Sequence, residues 1–217
     1  MARADRTDRP PLPRRFNLIR SFALADFITL ANAASGTASI FLCLNYVEMG
    51  HDDRFLWGAF ALLPAAFFFD AADGAVARWR HRSSPYGADL DSLADIVSFG
   101  VAPAVLAFTL GMRGLWDAIG LIFFVACGIS RLARFNVTAD MLTDGNSGKV
   151  RYFEGTPIPT SLLLVIVMFI AWRQAAVGDD LWFGFLQLGP GRLHPLVLMY
   201  VLSGSLMIAE RIRIPKI

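Results

Sequence analysis

"FLWGAFALLPAAFFFDAADGAVARWRHRSSPYGADLDSLADIVSFGVAPAVLAFTL", residues 55–110, contains two long apolar runs on either side of a polar stretch, and its reading decides the fold. Each run suffices to cross about 30 Å of hydrocarbon at about 1.5 Å of rise per helical residue. Yet five acids, Asp70, Asp73, Asp89, Asp91 and Asp95, stand at or between the edges of those runs. A carboxylate is costly to carry into hydrocarbon, so acids at such a place face a wet cavity, a partner or a cation.

The rest of the chain supports a membrane reading. Of 217 residues, 55% are hydrophobic and only 18% are charged, and the mean hydropathy is +0.50, too apolar for an ordinary soluble domain. Apolar segments give six expected spans, 22–47, 55–77, 86–110, 115–135, 157–172 and 196–208, the last two short. The expected fold is therefore all-α, an integral membrane bundle of six transmembrane helices. Residues 1–21 are expected to be a basic N-terminal interfacial segment, and 22–217 the membrane domain. Asp5, Asp8 and several prolines argue against a cleavable signal peptide in that segment. "LWFGFLQLGPG" (181–191), broken by Gly and Pro, reads as an interfacial stretch leading into the last helix.

With both termini inside, sixteen of the 20 Lys and Arg residues fall on the inner side and only Arg54, Arg113, Arg173 and Arg192 on the outer. This positive-inside bias places the acids at the cytoplasmic ends of the second and third spans. The charge pattern carries no nucleic-acid signature. Cys43 and Cys127, inside apolar segments, read as small packed hydrophobes, and His51, His81 and His194 lack metal-ligand spacing and are expected at the surface.

On a helix, positions 70, 73 and 77 stay within about a sixth of a turn of one another, and 87, 91 and 95 form a stripe at i, i+4, i+8. Asp89 is off the stripe and reads as a solvated acid. Gly74, Ala77 and Gly87 are small enough to let a helix or ligand approach closely. Four like charges so placed repel unless cations neutralise them, and hard oxygen ligands in this number suit Mg²⁺ or Mn²⁺, often as a pair on a phosphate-bearing substrate. A divalent-cation transporter also uses intramembrane acids, but it would spread them through the membrane depth instead of gathering them at one face.

Asp70, Asp73, Gly74, Ala77, Arg78, Gly87, Asp91 and Asp95 match D-x2-D-G-x2-A-R-x8-G-x3-D-x3-D without departure, and on these residues the chain resembles the CDP-alcohol phosphotransferase family. The resemblance implies a six-helix membrane enzyme, usually a homodimer among membrane lipids, that moves a phosphatidyl group from CDP-diacylglycerol to an alcohol and releases CMP. It implies that Asp70, Asp73 and Asp91 hold two divalent ions, that Asp95 is a further ligand and the general base, acting with Asp91 in catalysis, and that Asp70, Gly74, Ala77, Arg78 and Gly87 line the nucleotide site. Thr29 and Asn32 on the first span are candidates to touch the nucleotide, although polar residues there are as often helix-packing contacts.

"DSLADIVSFGVAPA" (91–104), "SRLARFNVTAD" (130–140) and "GKVRYFEGTPIPTSLLL" (148–164) are similar to the phosphatidylserine synthase branch, in a form like that of fungal enzymes. L-serine offers a hydroxyl nucleophile, a carboxylate and an ammonium. Arg131, Arg134 and Arg151 are candidates for its carboxylate, since a guanidinium binds one bidentately, with Asn136 beside them and Glu154 for the ammonium. The alternative for each Arg is an anchor snorkelling to lipid phosphate. The alternative acceptor is another alcohol, such as choline, inositol phosphate or glycerol phosphate.

Overall fold

The computed structural model describes residues 24–80, 87–143, 152–154, 156–209 and 213–215; the expected interfacial segment 1–21 and His81 lie outside them. Six helical rods dominate. Helix α1 spans Leu24–Glu48 and α2 Asp53–Arg80. Helix α3 runs from Gly87 to Leu110, as α-helix over Gly87–Asp95, π-helix over Ile96–Val101 and α-helix again over Ala102–Leu110. Helix α4 spans Leu115–Thr143, α5 Leu162–Arg173 and α6 Leu198–Ile208, the last two each entered through a 3₁₀ turn. Among the described residues four helices are long and apolar enough to cross a membrane, α1 to α4, while the fifth and sixth rods are shorter, as expected from the sequence.

Two short antiparallel pairs complete the described residues. Strand β1 (Tyr152–Glu154) pairs with β4 (Arg213–Pro215), Glu154 opposite Arg213. Strands β2 (Leu186–Leu188) and β3 (Gly191–Leu193) form a hairpin. The stretch read as an interfacial run into the last helix thus contains that hairpin, whose β2 residues are all exposed. Trp116 Nε1 donates to the Leu188 carbonyl at 2.9 Å and fixes it to the start of α4.

The bundle is organised around α3. In its apolar window 67% of the residues are buried, against 28–33% for α1, α2 and α4, so α3 is the central helix. Phe99, Leu106 and Leu110 of α3 join Leu56 and Leu63 of α2 and Phe124 of α4 in the core. Aromatic rings of α2 and α5 interlock beside it, Phe60 stacking on Trp172 with centroids 5.3 Å apart. The outward faces carry large apolar side chains: Phe27, Leu30, Phe41 and Leu44 on α1 and Phe68 on α2. Such exposure is expected of a surface solvated by lipid tails.

Helix α1 turns its polar side inward. Asp26, Thr29, Asn32, Ser35 and Ser39 recur every three or four residues and are all buried. That spacing forms one stripe on a helix, and it faces α2 and α3. Ser39 Oγ donates to the Ala59 carbonyl of α2 at 3.0 Å. At Gly36 the helices approach so closely that a Cβ would lie 2.5 Å from Ser98 Oγ and 2.7 Å from Ser98 Cα. Glycine is required there for the contact with α3.

At the far end of the bundle from the acid motif, His194 is buried, contrary to the expectation of a surface residue. Its Nδ1 lies 2.6 Å from Asp117 Oδ2, and its backbone N–H donates to Asp117 Oδ1 at 2.7 Å. The Gly114 N–H adds a third bond to the same carboxylate at 2.9 Å. One buried acid thereby ties the start of α4 to the entry of α6 across 77 residues of sequence. The reason is desolvation: Asp117 and His194 can be buried together because each supplies the other's partner.

Candidate active site

Helices α2 and α3 present the motif acids at one end of the bundle. One carboxylate oxygen each from Asp70, Asp91 and Asp95 lies within 4.8 Å of the others. The i, i+4 stripe of α3 is what brings Asp91 and Asp95 to the same side, and Asp70 meets them from α2. Asp95 is buried and the other two are half-buried. Among the described residues Asp91 Oδ1 is buried without a hydrogen-bond partner. An orphaned carboxylate oxygen among two further acids is a donor set that suits a hard divalent cation.

Asp73 lies on the same face of α2 but is engaged differently: Thr29 Oγ1 of α1 donates to its Oδ2 at 2.5 Å. Asn32 of α1 donates from Nδ2 to Asp95 Oδ1 at 3.3 Å. The two residues singled out on the first span therefore meet the acids themselves. Asp26, one turn before Thr29, is also buried and lies close enough to Asp73 for their charges to interact. The sequence reading missed Asp26; its signal was the three-residue spacing of Asp26, Thr29 and Asn32 inside an otherwise apolar span.

The π-helical turn begins immediately after Asp95. It adds a residue to the turn without breaking the helix, so Asp91 and Asp95 can face the acid cluster while Phe99 and Leu106 beyond it face the core. Such turns are rare and frequent at functional sites.

Arg131 of α4 lies near the cluster. It is half-buried, close enough to Asp95 and Arg134 for charge interaction, and its Nε is buried without a partner among the described residues. Arg134 is half-buried one turn on. Asn136, expected beside them, has its amide already occupied: it accepts from Ser92 Oγ at 3.1 Å and donates to Asp89 Oδ1 at 3.3 Å. Asp89 is exposed, as read from the sequence, and accepts this one bond from Asn136 as well. Gly74 and Gly87 are half-exposed beside the acids. Ala77 and Arg78 lie on the last turns of α2 and Glu154 in β1, described by backbone alone, and Arg151 lies outside the described residues.

The CDP-alcohol phosphatidyltransferase family matches this chain over residues 22–204. The CDP-diacylglycerol–serine O-phosphatidyltransferase of Saccharomyces cerevisiae is 43% identical over 203 residues, covering 93% of this chain and 73% of that one. A protein of the same name from Methanocaldococcus jannaschii is 32% identical over 201 residues, covering 93% and 78%. The archaetidylserine synthase of Methanothermobacter thermautotrophicus is 38% identical over 157 residues, covering 70% of this chain and 60% of that one. The motif geometry and a family match extending from the start of α1 into α6 lead to one conclusion: the chain belongs to the CDP-alcohol phosphatidyltransferase family.

Proposed function

We propose that this chain transfers the phosphatidyl group of CDP-diacylglycerol to the hydroxyl of L-serine, releasing CMP, at an active site on the cytoplasmic face of the membrane. The observation that carries the reading is the convergence of Asp70, Asp91 and Asp95 within 4.8 Å, with Arg131 of α4 close enough to Asp95 for charge interaction. The names of the relatives support serine as the acceptor. The cytoplasmic placement rests on sixteen basic residues on one side against four on the other.

Asp70, Asp91 and Asp95, with Asp73 beside them, would hold Mg²⁺ or Mn²⁺, two ions in the reading favoured by four carboxylates. The ions would neutralise charge developing on the diphosphate and its leaving group. Thr29 holds the Asp73 carboxylate in place by its hydroxyl. Asp95 accepts the proton of the serine hydroxyl as the new oxygen–phosphorus bond forms. The bond from that phosphorus to the bridging oxygen breaks, and CMP carries the electron pair away. Arg131, with Arg134, receives the serine carboxylate: its unpartnered Nε shows unused donor capacity at the cluster. Gly74, Ala77, Arg78 and Gly87 are assigned to the nucleotide by the motif, and Arg151 and Glu154 are candidates for the acceptor. Asn136 acts at one remove, bonding α3 to α4 through Ser92 and Asp89. The active species is a homodimer in the bilayer, measurable by cross-linking in native membranes.

Purified protein in detergent with labelled serine and CDP-diacylglycerol tests the whole reading. Expected is phosphatidylserine and CMP in equal amounts, formed with added Mg²⁺ or Mn²⁺ and abolished by chelation. Turnover with choline, inositol phosphate or glycerol phosphate in place of serine would overturn the acceptor. Metal flux into vesicles without CMP release would overturn the enzyme.

A further inference from the structure

We infer that Asn32 is a positioning residue that aims the Asp95 carboxylate at the cation site, and is not a contact to the nucleotide. The inference rests on the reading of the acid cluster as a cation site and adds to it a residue outside the motif.

The Asn32 side chain is fully buried, and its Nδ2 already serves Asp95 Oδ1 at 3.3 Å. Its Oδ1 is buried without a partner among the described residues, which leaves the bond to Asp95 as the hydrogen bond that its side chain makes there. An amide donor on one carboxylate oxygen fixes the plane of the group and leaves the second oxygen for a cation or an incoming proton.

The backbone around this bond is fastened as well. Ser98 Oγ donates to the Asn32 carbonyl at 2.9 Å, from within the π-helical turn that follows Asp95. One turn further along α1, Gly36 seats against that same Ser98, with no room for a Cβ. Two bonds and one close contact therefore hold the Asn32 turn of α1 against the Asp95 turn of α3. Three residues earlier, Thr29 makes the equivalent bond to Asp73. The donor that a nucleotide contact would use, Nδ2, is engaged by a carboxylate.

Groups that hydrogen-bond a metal-ligating side chain are worth about 10- to 100-fold in metal affinity or activity. The test is Asn32→Leu, similar in size but without the donor, in full-length protein in detergent, with Mn²⁺ binding followed by electron paramagnetic resonance and steady-state kinetics against both substrates. Expected are Mn²⁺ binding weakened by about 10- to 100-fold and a fall in kcat of the same order, with the KM for CDP-diacylglycerol unchanged. Wild-type Mn²⁺ binding together with a raised KM for CDP-diacylglycerol would overturn the inference in favour of a nucleotide contact. If Asn32→Leu does not fold, Asn32→Ala is measured the same way, and wild-type Mn²⁺ binding in that variant also overturns it. Asp95→Asn separates the two levels. If Asp95→Asn itself binds Mn²⁺ and turns over normally, the site reading fails; if only the Asn32 variants are normal, the positioning role alone fails.

Discussion

Replacing Asp91 by Asn should make the metal-free protein more stable while abolishing most of its activity. One carboxylate oxygen from each of Asp70, Asp91 and Asp95 lies within 4.8 Å of the other two. At an effective dielectric constant of about 20, two unit charges at that separation repel by about 3.5 kcal/mol. Three ionised groups make three such pairs, and Asp91 takes part in two of them. Its neutralisation therefore relieves about 7 kcal/mol of repulsion in the fully ionised cluster, and Asp91 Oδ1 has no hydrogen bond to lose among the described residues. Added cation relieves the same repulsion in the wild type. The assay is thermal unfolding in detergent with chelator and with saturating Mn²⁺. Wild type should gain several degrees or more from Mn²⁺, whereas Asp91→Asn should start higher in chelator and gain little. Turnover should fall by at least about 10²-fold, the lower range for removing one electrostatic element of an active site. A chelator-treated Asp91→Asn protein that is less stable than wild type, or that keeps the full Mn²⁺ shift, would refute the charge-cluster argument.

Arg131→Lys should raise the KM for serine by about 10- to 150-fold, the range for one lost charge-assisted hydrogen bond, with little change for CDP-diacylglycerol; ethanolamine, lacking the carboxylate, should be a poor substrate for the wild type, and kinetics against both substrates checks this. Asp117→Ala leaves the hydrogen-bonding groups of His194 and Gly114 without their acceptor and should cost about 1–3 kcal/mol of stability for each buried group left unsatisfied, read as a lowered unfolding temperature, with both KM values unchanged in protein that remains folded. Gly36→Ala forces a methyl group against the Ser98 backbone and should destabilise by about 1–3 kcal/mol. Because the displaced turn carries Asp95, that variant should also lose activity at temperatures where it is fully folded, which circular dichroism and an activity assay on the same sample would resolve.

The helices were legible because apolar run length is a direct consequence of bilayer thickness, so α1 to α4 begin and end close to where the hydropathy does. The acid cluster was legible because i, i+4 spacing on one helix is a geometric statement, and Asp91 and Asp95 had to share a face. The contacts of α1 were harder to read. Thr29 and Asn32 each look like ordinary packing residues, and only their partners show that the polar face of α1 is turned toward the acids. The Asp117–His194 pair had no local signal at all, since the two residues are 77 positions apart and neither stands in a motif. The π-helical turn was equally silent: "IVSFGV" (96–101) is an apolar run that would suit any buried helix. What the sequence withheld is thus mainly which long-range partner each polar residue finds.

Those long-range partners have a common physical origin. Inside a membrane, lipid tails are as apolar as leucine, so burying a greasy face contributes little to holding helices together; close packing and interhelical hydrogen bonds must do more. In this chain the bonds from α1 serve two purposes at once. Thr29–Asp73, Asn32–Asp95 and Ser98–Asn32 fasten α1 to α2 and α3, and two of the three end on the carboxylates they hold in place. At the opposite end, Asp117 and His194 fasten α4 to the entry of α6 with no acid of the cluster involved. Perturbing α1 should therefore change stability and catalysis together, whereas perturbing the Asp117–His194 end should change stability alone. The separation follows from where the charges lie: only at the acid end must the groups that tie the helices also hold like charges close enough to share a cation.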